Sequence, residues 1–342
     1  MKTKNYFFRL SVSCAFFVIL SCTTPIKHQE TVDGFIKLMV SKHHFDEAAL
    51  TDLFDHVELK GDIIKKISKP SEGLPWYKYR HIFLKEPRIK AGVEFWKENE
   101  QTLAAIEQET GVSAAIIVAI IGVETMYGQH TGNYRVIDAL STLAFDYPPR
   151  SQFFRSELEE FLLLCREEGI NPLTPLGSYA GAMGMPQFMP SSYRNYALDF
   201  DKDNSRDIWH NPDDVIASVA NYFAKHGWKA GQSVAFQMCD CCHNSVKSFP
   251  FLKEDLSLVE CNADNPNISK PLLSTNKAKI IAFKQENGEE LWATSENFYV
   301  ITRYNHSPLY AMAVFQLSLA ISNQRFPLRY EKAHHLTGHT GT

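Results

Sequence analysis

Ala114-Ala-Ile-Ile-Val-Ala-Ile-Ile-Gly-Val-Glu124-Thr-Met-Tyr-Gly128 is almost wholly apolar and then presents one carboxylate. Ile117, Ile121 and Glu124 stand at i, i+4 and i+7, so a helix places them on one face. Glu124 is therefore in line with the apolar stripe, not opposite it. Gly128 stands where such a helix would end. A carboxyl held against apolar surface has a raised pKa and keeps its proton near neutral pH, which is the equipment of a general acid. The stretch alone also fits a Glu at a helix end, exposed or paired with an arginine, because structural ion pairs also place carboxylates near apolar surface.

Helical spacing recurs on both sides of this segment. Residues 35–69 carry it, with His43, His44, Asp46 and Glu47 on the polar side. Pro70-Ser-Glu-Gly-Leu-Pro75 is a break, and the aromatic cluster Trp76-Tyr-Lys-Tyr79 follows it. Residues 93–110, 138–145, 151–168, 212–226 and 298–323 read as further helices. The tract 231–297 changes character: Lys279-Ile-Ile-Ala-Phe283 is strand-like and Asn287-Gly288 is a turn signal, so a small β-containing insertion is expected there. The fold class is thus mainly α, with a minor β part. No internal repeat or low-complexity segment occurs.

Ser178-Tyr-Ala-Gly181-Ala-Met-Gly184-Met-Pro-Gln187-Phe-Met-Pro190-Ser-Ser-Tyr193 is the second informative stretch. Its glycines allow close backbone approach, Ser178 and Gln187 offer hydrogen bonds, and Met and Phe offer an apolar floor. That mixture suits a sugar, with its hydroxyl edges and CH-rich face; a Gly-rich loop packed on core has the same composition. Taken with Gly122-Val-Glu124-Thr, Ser218-Val-Ala-Asn-Tyr222-Phe, His226-Gly-Trp228 and Arg303-Tyr304-Asn305-His306-Ser307, it makes an ordered set across roughly residues 76–322 that resembles the membrane-bound lytic transglycosylase B family.

The resemblance implies a lysozyme-like helical core that cleaves the MurNAc–GlcNAc bond of peptidoglycan glycan strands. It places the single catalytic carboxylate at Glu124. It places glycan contacts at Tyr79, Ser178, Gln187, Tyr222, Tyr304 and Asn305, and a peptide-stem contact at Arg150, where Pro149 replaces the second basic residue usual in the family. It also implies one group acting twice, first as acid on the glycosidic oxygen and then as base on the C6 hydroxyl of MurNAc. Two other readings compete. A hydrolytic muramidase would need a second carboxylate near Glu124, with Asp138 and Asp146 the nearest downstream. A non-catalytic peptidoglycan-binding lipoprotein would have no use for a buried acid.

Asp199-Phe-Asp201-Lys-Asp203-Asn-Ser205-Arg-Asp207 puts carboxylates at alternate positions, as a calcium loop requires. Asn204 and His210 stand where the strict motif has Gly and Glu. The family resembled carries an elongated loop of this kind closed by a later Asp. That makes Asp199, Asp201, Asp203, Ser205 and Asp214 the expected ligands of a structural Ca2+, with no cofactor for the chemistry. A solvated acidic turn is the other reading.

Lys2, Lys4 and Arg9 precede an apolar stretch, Leu10 to Leu20, too short to span a bilayer as a mature helix. It ends in Ser21-Cys22, which resembles a lipoprotein cleavage site, although Leu20 is bulkier than that motif usually allows; an ordinary signal peptide is the alternative. Cys22 is the candidate lipidation site, and Thr23 after it favours the outer membrane by the same resemblance. Removing the leader would take the net charge from −4 to −7. A mildly acidic chain without a basic run argues against nucleic acid. Cys165 reads as a small core hydrophobe. Cys239, Cys241, Cys242 and Cys261 suggest disulfides in an oxidising compartment, with a metal site including His243 as rival. The expected organisation is a leader 1–22, a tether 23–34, a helical region and catalytic core 35–230 with the acidic loop 199–214, the insertion 231–297, a return to the core 298–325 and a tail 326–342.

Overall fold

The computed structural model describes residues 24–68, 73–238 and 279–327. The leader, Cys22 and the four clustered cysteines lie outside the described residues. Two units are distinct, one ending at Phe54 and one beginning at Asp55. The first holds α1 (Thr24–His43) and α2 (Glu47–Asp55). Its chain reverses at His44, whose φ of 57° is left-handed, and Asp46 caps α2 by accepting from the Ala49 amide at 2.7 Å. Phe35 meets Phe54 edge to face at 5.9 Å. The stretch read as a tether is helical from Thr24.

The second unit is helical with one small sheet. Its helices are α3 (Gly61–Ile67), α4 (Trp76–Phe83), α5 (Glu86–Glu98), α6 (Glu100–Thr110), α7 (Ala114–Thr125), α8 (Val136–Asp146), α9 (Ser151–Glu168), α10 (Pro190–Tyr196), α11 (Pro212–Lys225), α12 (Glu296–Tyr304) and α13 (Pro308–Arg325). The two-residue strands β1 (Tyr134–Arg135) and β2 (Leu176–Gly177) pair antiparallel. Strands β3 (Ala235–Gln237), β4 (Lys279–Lys284) and β5 (Glu289–Thr294) form an antiparallel sheet in the order β3-β5-β4. The β4–β5 hairpin turns at Gly288, φ 92°, as its Asn-Gly signal required.

α7 is the core. Every residue from Ile116 to Val123 is buried, because a helix apolar on all sides has to be wrapped by others. α13, α5, α6 and α11 pack against it. Burying each of Ile117, Ile120 and Ile121 contributes roughly 1.5–3 kcal/mol. Two glycines permit a ring to enter this packing: a Cβ at Gly92 on α5 or at Gly122 on α7 would overlap the Tyr127 hydroxyl.

Three boundaries differ from the periodicity reading. α7 stops at Thr125, not near Gly128, because Met126 and Tyr127 already adopt left-handed φ of 53° and 59°. The helix expected over 93–110 begins at Glu86 and breaks at Asn99, whose side-chain amide donates to the Phe95 carbonyl at 2.8 Å and so closes α5. The helix expected over 298–323 is two helices. Ser307 caps α13 and Pro308 lacks the amide that a continuous ladder would need.

Candidate active site

Glu124 lies in the last turn of α7. Its side chain is partly exposed yet crowded by surrounding protein, so the carboxyl is both desolvated and reachable. Burial pushes it from an ordinary 4.5 up to about 7, while a hydrogen bond from the Tyr310 hydroxyl to Oε1 pulls the other way. The partial negative charge gathered at a helix C-terminus also favours the protonated form. No donor among the described residues reaches Oε2. Among the described residues one oxygen is held and the other has no partner.

Phenols surround this carboxyl. Tyr304 and Tyr310 both interact with Glu124, Tyr79 with Tyr310, and Tyr222 with Tyr304, whose rings are 4.8 Å apart. Burial, the largest cause, pushes Tyr304 and Tyr310 well above an ordinary phenol, with the Glu124 charge adding to it. Four elements deliver them. α4 brings Tyr79, and the sheet buttresses α4 where Trp76 meets Phe283 at 5.3 Å. α11 brings Tyr222, α12 ends at Tyr304, and α13 begins two residues before Tyr310.

The predicted glycan contacts differ in what they leave available. The Tyr222 hydroxyl donates to the Arg303 carbonyl at 2.6 Å and the Tyr304 hydroxyl to the Pro186 carbonyl at 2.6 Å, so both offer rings rather than donors. Gln187 holds a left-handed φ of 53°, and its Nε2 donates to the Thr131 and Gly184 carbonyls at 3.0 Å; its Oε1 remains. The Ser178 oxygen accepts from the Ala180 and Ala182 amides at 3.3 and 3.1 Å, which leaves its O–H to donate outward. Asn305 carries no side-chain hydrogen bond among the described residues, and only its backbone carbonyl is used, by the Ser307 amide at 2.7 Å. Arg150 is exposed, and its guanidinium lies over the Phe153 ring at 4.4 Å.

The Gly-rich stretch is tied to the acid. Thr125, next to Glu124, donates to the Met185 carbonyl at 2.9 Å and accepts from the Gly128 amide at 3.0 Å. The Met185 amide donates in turn to the Ile208 carbonyl, within the acidic loop. The carboxylates offered for a second catalytic role are not free. Asp138 is buried, with Oδ1 and Oδ2 taken by Arg135 and the Glu58 amide, and Asp146 is exposed.

In the acidic loop, ligand atoms of Asp199, Asp201 and Asp203 lie within 4.8 Å of one another, a hard oxygen set that fits Ca2+. Asp214 stands outside that group. It is buried, and its oxygens accept from the Phe200 and Asp207 amides at 2.7 and 2.9 Å, which staples both ends of the loop to α11. Burial raises its pKa, against those two hydrogen bonds. The Ser205 amide donates to Asp203 at 2.8 Å.

The profile of the family described as "Transglycosylase SLT domain" matches residues 27–319. The chain belongs to this family. It is 40% identical over 301 residues to the membrane-bound lytic murein transglycosylase B of Escherichia coli (strain K12), covering 85% of this chain and 82% of that protein. The crystal structure of soluble lytic transglycosylase SltB1 from Pseudomonas aeruginosa superposes with a TM-score of 0.75 at 45% identity, over 86% of this chain and 99% of that one. Escherichia coli lytic transglycosylase Slt35, solved in complex with calcium, gives a TM-score of 0.77 at 38% identity, over 86% and 93%. These likenesses bear out the lysozyme-like, mainly helical class expected from the sequence. Tyr310 is the site residue that sequence reading missed.

Proposed function

We propose that this chain is a lytic transglycosylase that cleaves the β-1,4 bond between MurNAc and GlcNAc in peptidoglycan without water, and that Glu124 performs both proton transfers. One observation carries the assignment to Glu124: a lone, crowded carboxyl near pKa 7, with one oxygen free and phenols rather than a second carboxylate around it. Such a group is protonated in a large share of molecules at neutral pH, yet ionises readily once its proton is given away.

In the first step Oε2–H protonates the glycosidic oxygen, the C1–O bond breaks, and GlcNAc leaves as an alcohol. The substrate's own N-acetyl oxygen stabilises the positive charge at C1. In the second, the Glu124 carboxylate takes the proton of the MurNAc C6 hydroxyl as O6 bonds to C1. The product is a 1,6-anhydro ring and the carboxyl is restored. Ser178 and Asn305 would orient the N-acetyl group, and Tyr79, Tyr222, Tyr304 and Gln187 would line the glycan path. Arg150, an exposed cation, would serve a peptide stem. Mass spectrometry of digested sacculi tests the reaction. Anhydro ends, lighter by one water than reducing ends, are expected; reducing ends alone would make it a hydrolase.

Residues 35–230 completed by 298–325 would form the catalytic region, with 231–297 as an insertion. Structural Ca2+ at Asp199, Asp201, Asp203 and Ser205, with Asp214 bracing the loop, is supported by the convergence of three carboxylates and by the calcium complex of Slt35. Anchoring to the outer membrane through a lipid on Cys22 is supported by the leader pattern and by the membrane-bound relative. Cys22→Ala should move the protein from the membrane to the soluble fraction of lysed cells; unchanged fractionation would point to another anchor.

A further inference from the structure

A single group that acts first as acid and then as base faces a conflict. Burial prepares Glu124 for the first role by favouring its proton. The same burial would strand the carboxylate that exists between the two steps, since an unpaired buried charge is costly. Something has to steady the ionised state without claiming the oxygen that does the chemistry.

The structure offers one candidate. The Tyr310 hydroxyl bonds Oε1 of Glu124 and leaves Oε2 open. The phenols of Tyr304 and Tyr222 are differently employed, donating to the carbonyls of Pro186 and Arg303, and Tyr79 acts on Tyr310. On α5, Arg88 faces Tyr127, and among the described residues no Lys, Arg, His, Asp or Glu acts on the carboxyl. Tyr310 is buried and remains a phenol at any physiological pH, so the direction of the bond is constant: the phenol donates and Glu124 accepts. Its own amide is fixed to the Ser307 hydroxyl that caps α13, which ties the ring to a rigid helix start.

We propose that Tyr310 is the positioning residue of the reaction: its hydroxyl pins Oε1 of Glu124, so that both proton transfers pass through Oε2 and the carboxylate formed between them keeps a partner. The inference rests on Glu124 being the acid and base. It assigns Tyr310 no contact with substrate.

Tyr310→Phe keeps the buried ring and removes only the donor. A hydrogen bond to a charged group is strong enough that its loss should lower kcat about 10- to 100-fold, with KM within about twofold. The alkaline limb of the kcat profile should move up by about one to two pH units, because the ionised form has lost its partner. Carboxyl-carbon NMR titration of Glu124 in the folded variant should show the same upward shift without requiring turnover, and thermal melting shows whether that variant is folded. Glu124→Gln runs in parallel. An unmoved Glu124 titration and unchanged kcat in Tyr310→Phe, with Glu124→Gln inactive, would reduce Tyr310 to a packing residue and leave the Glu124 assignment standing. Turnover by Glu124→Gln within tenfold of the unmodified protein would remove the assignment and this inference together.

Discussion

Two groups of carboxyls in this molecule meet the cost of negative charge in opposite ways. Glu124 lies among apolar helices and phenols, and burial raises its affinity for a proton. Asp199, Asp201 and Asp203 are crowded near the surface, with ligand atoms within 4.8 Å of one another. Asp214 shows a third solution: buried, it spends both oxygens on backbone amides. The difference teaches that a carboxyl's role follows from what else can neutralise it. Where neighbours are few and solvent is scarce the proton is cheapest, which makes an acid; where other carboxylates converge and water is near, a hard cation competes better.

Three experiments would break or sharpen this contrast. The largest effect belongs to Glu124→Gln, which should lower glycan cleavage by a factor of about 10²–10⁴ or more. Glycan binding should be retained, since the amide keeps the shape and can still accept from Tyr310. Turnover within tenfold of the unmodified protein would take the catalytic role away from Glu124.

Calcium gives the next largest effect, on stability alone. A cation bound only by the folded chain stabilises it by about 2.7 kcal/mol at a hundredfold excess over Kd. The melting temperature should therefore rise with calcium and fall with chelator, and Asp203→Ala should erase the response. Cleavage below the transition should persist in chelator, because the loop offers no group to the glycosidic oxygen. Identical melting with and without calcium would return the loop to a solvated acidic turn.

The smallest effect is the pH dependence of stability carried by Glu124. Its folded pKa, about 7, lies above the ordinary 4.5, so between those values the folded chain binds more protons than the unfolded one. Its contribution is complete below about 4.5 and is lost as pH rises through 7. Glu124→Gln lacks this loss and should be the more stable protein at pH 8, by something on the order of 1–3 kcal/mol after allowance for the partial exposure of the side chain. Paired denaturant titrations at pH 5 and 8 measure it. A difference between the two proteins that stays the same at both pH values would mean that Glu124 is not desolvated in solution.

Much of the core was legible because helical periodicity is a local signal. The apolar run of α7, the capping of α11 by Asn211 and the Asn-Gly turn of the hairpin all appear within a few neighbouring residues. The breaks were less legible. On one continuous helix Tyr304 and Tyr310 would point about 120° apart, which hid their common target. The interruption from Asn305 to Ser307 turns both towards Glu124. The resemblance makes Asp214 a closing ligand, and the structure adds two backbone amides that its oxygens accept from, partners that no local pattern announces.

The sequence by itself determined that a carboxyl would end an apolar helix, that glycines and a serine would sit in a tight loop, and that three aspartates would alternate in another. Those are properties of nearest neighbours, carried by spacing and residue type. Only the tertiary structure decided what the Glu124 carboxyl can do. Its proton affinity depends on atoms from α7, α12 and α13, and its one hydrogen-bond partner among the described residues is 186 residues away. Desolvation and the placement of a distant hydroxyl depend on how helices pack, and no local pattern in the chain encodes that.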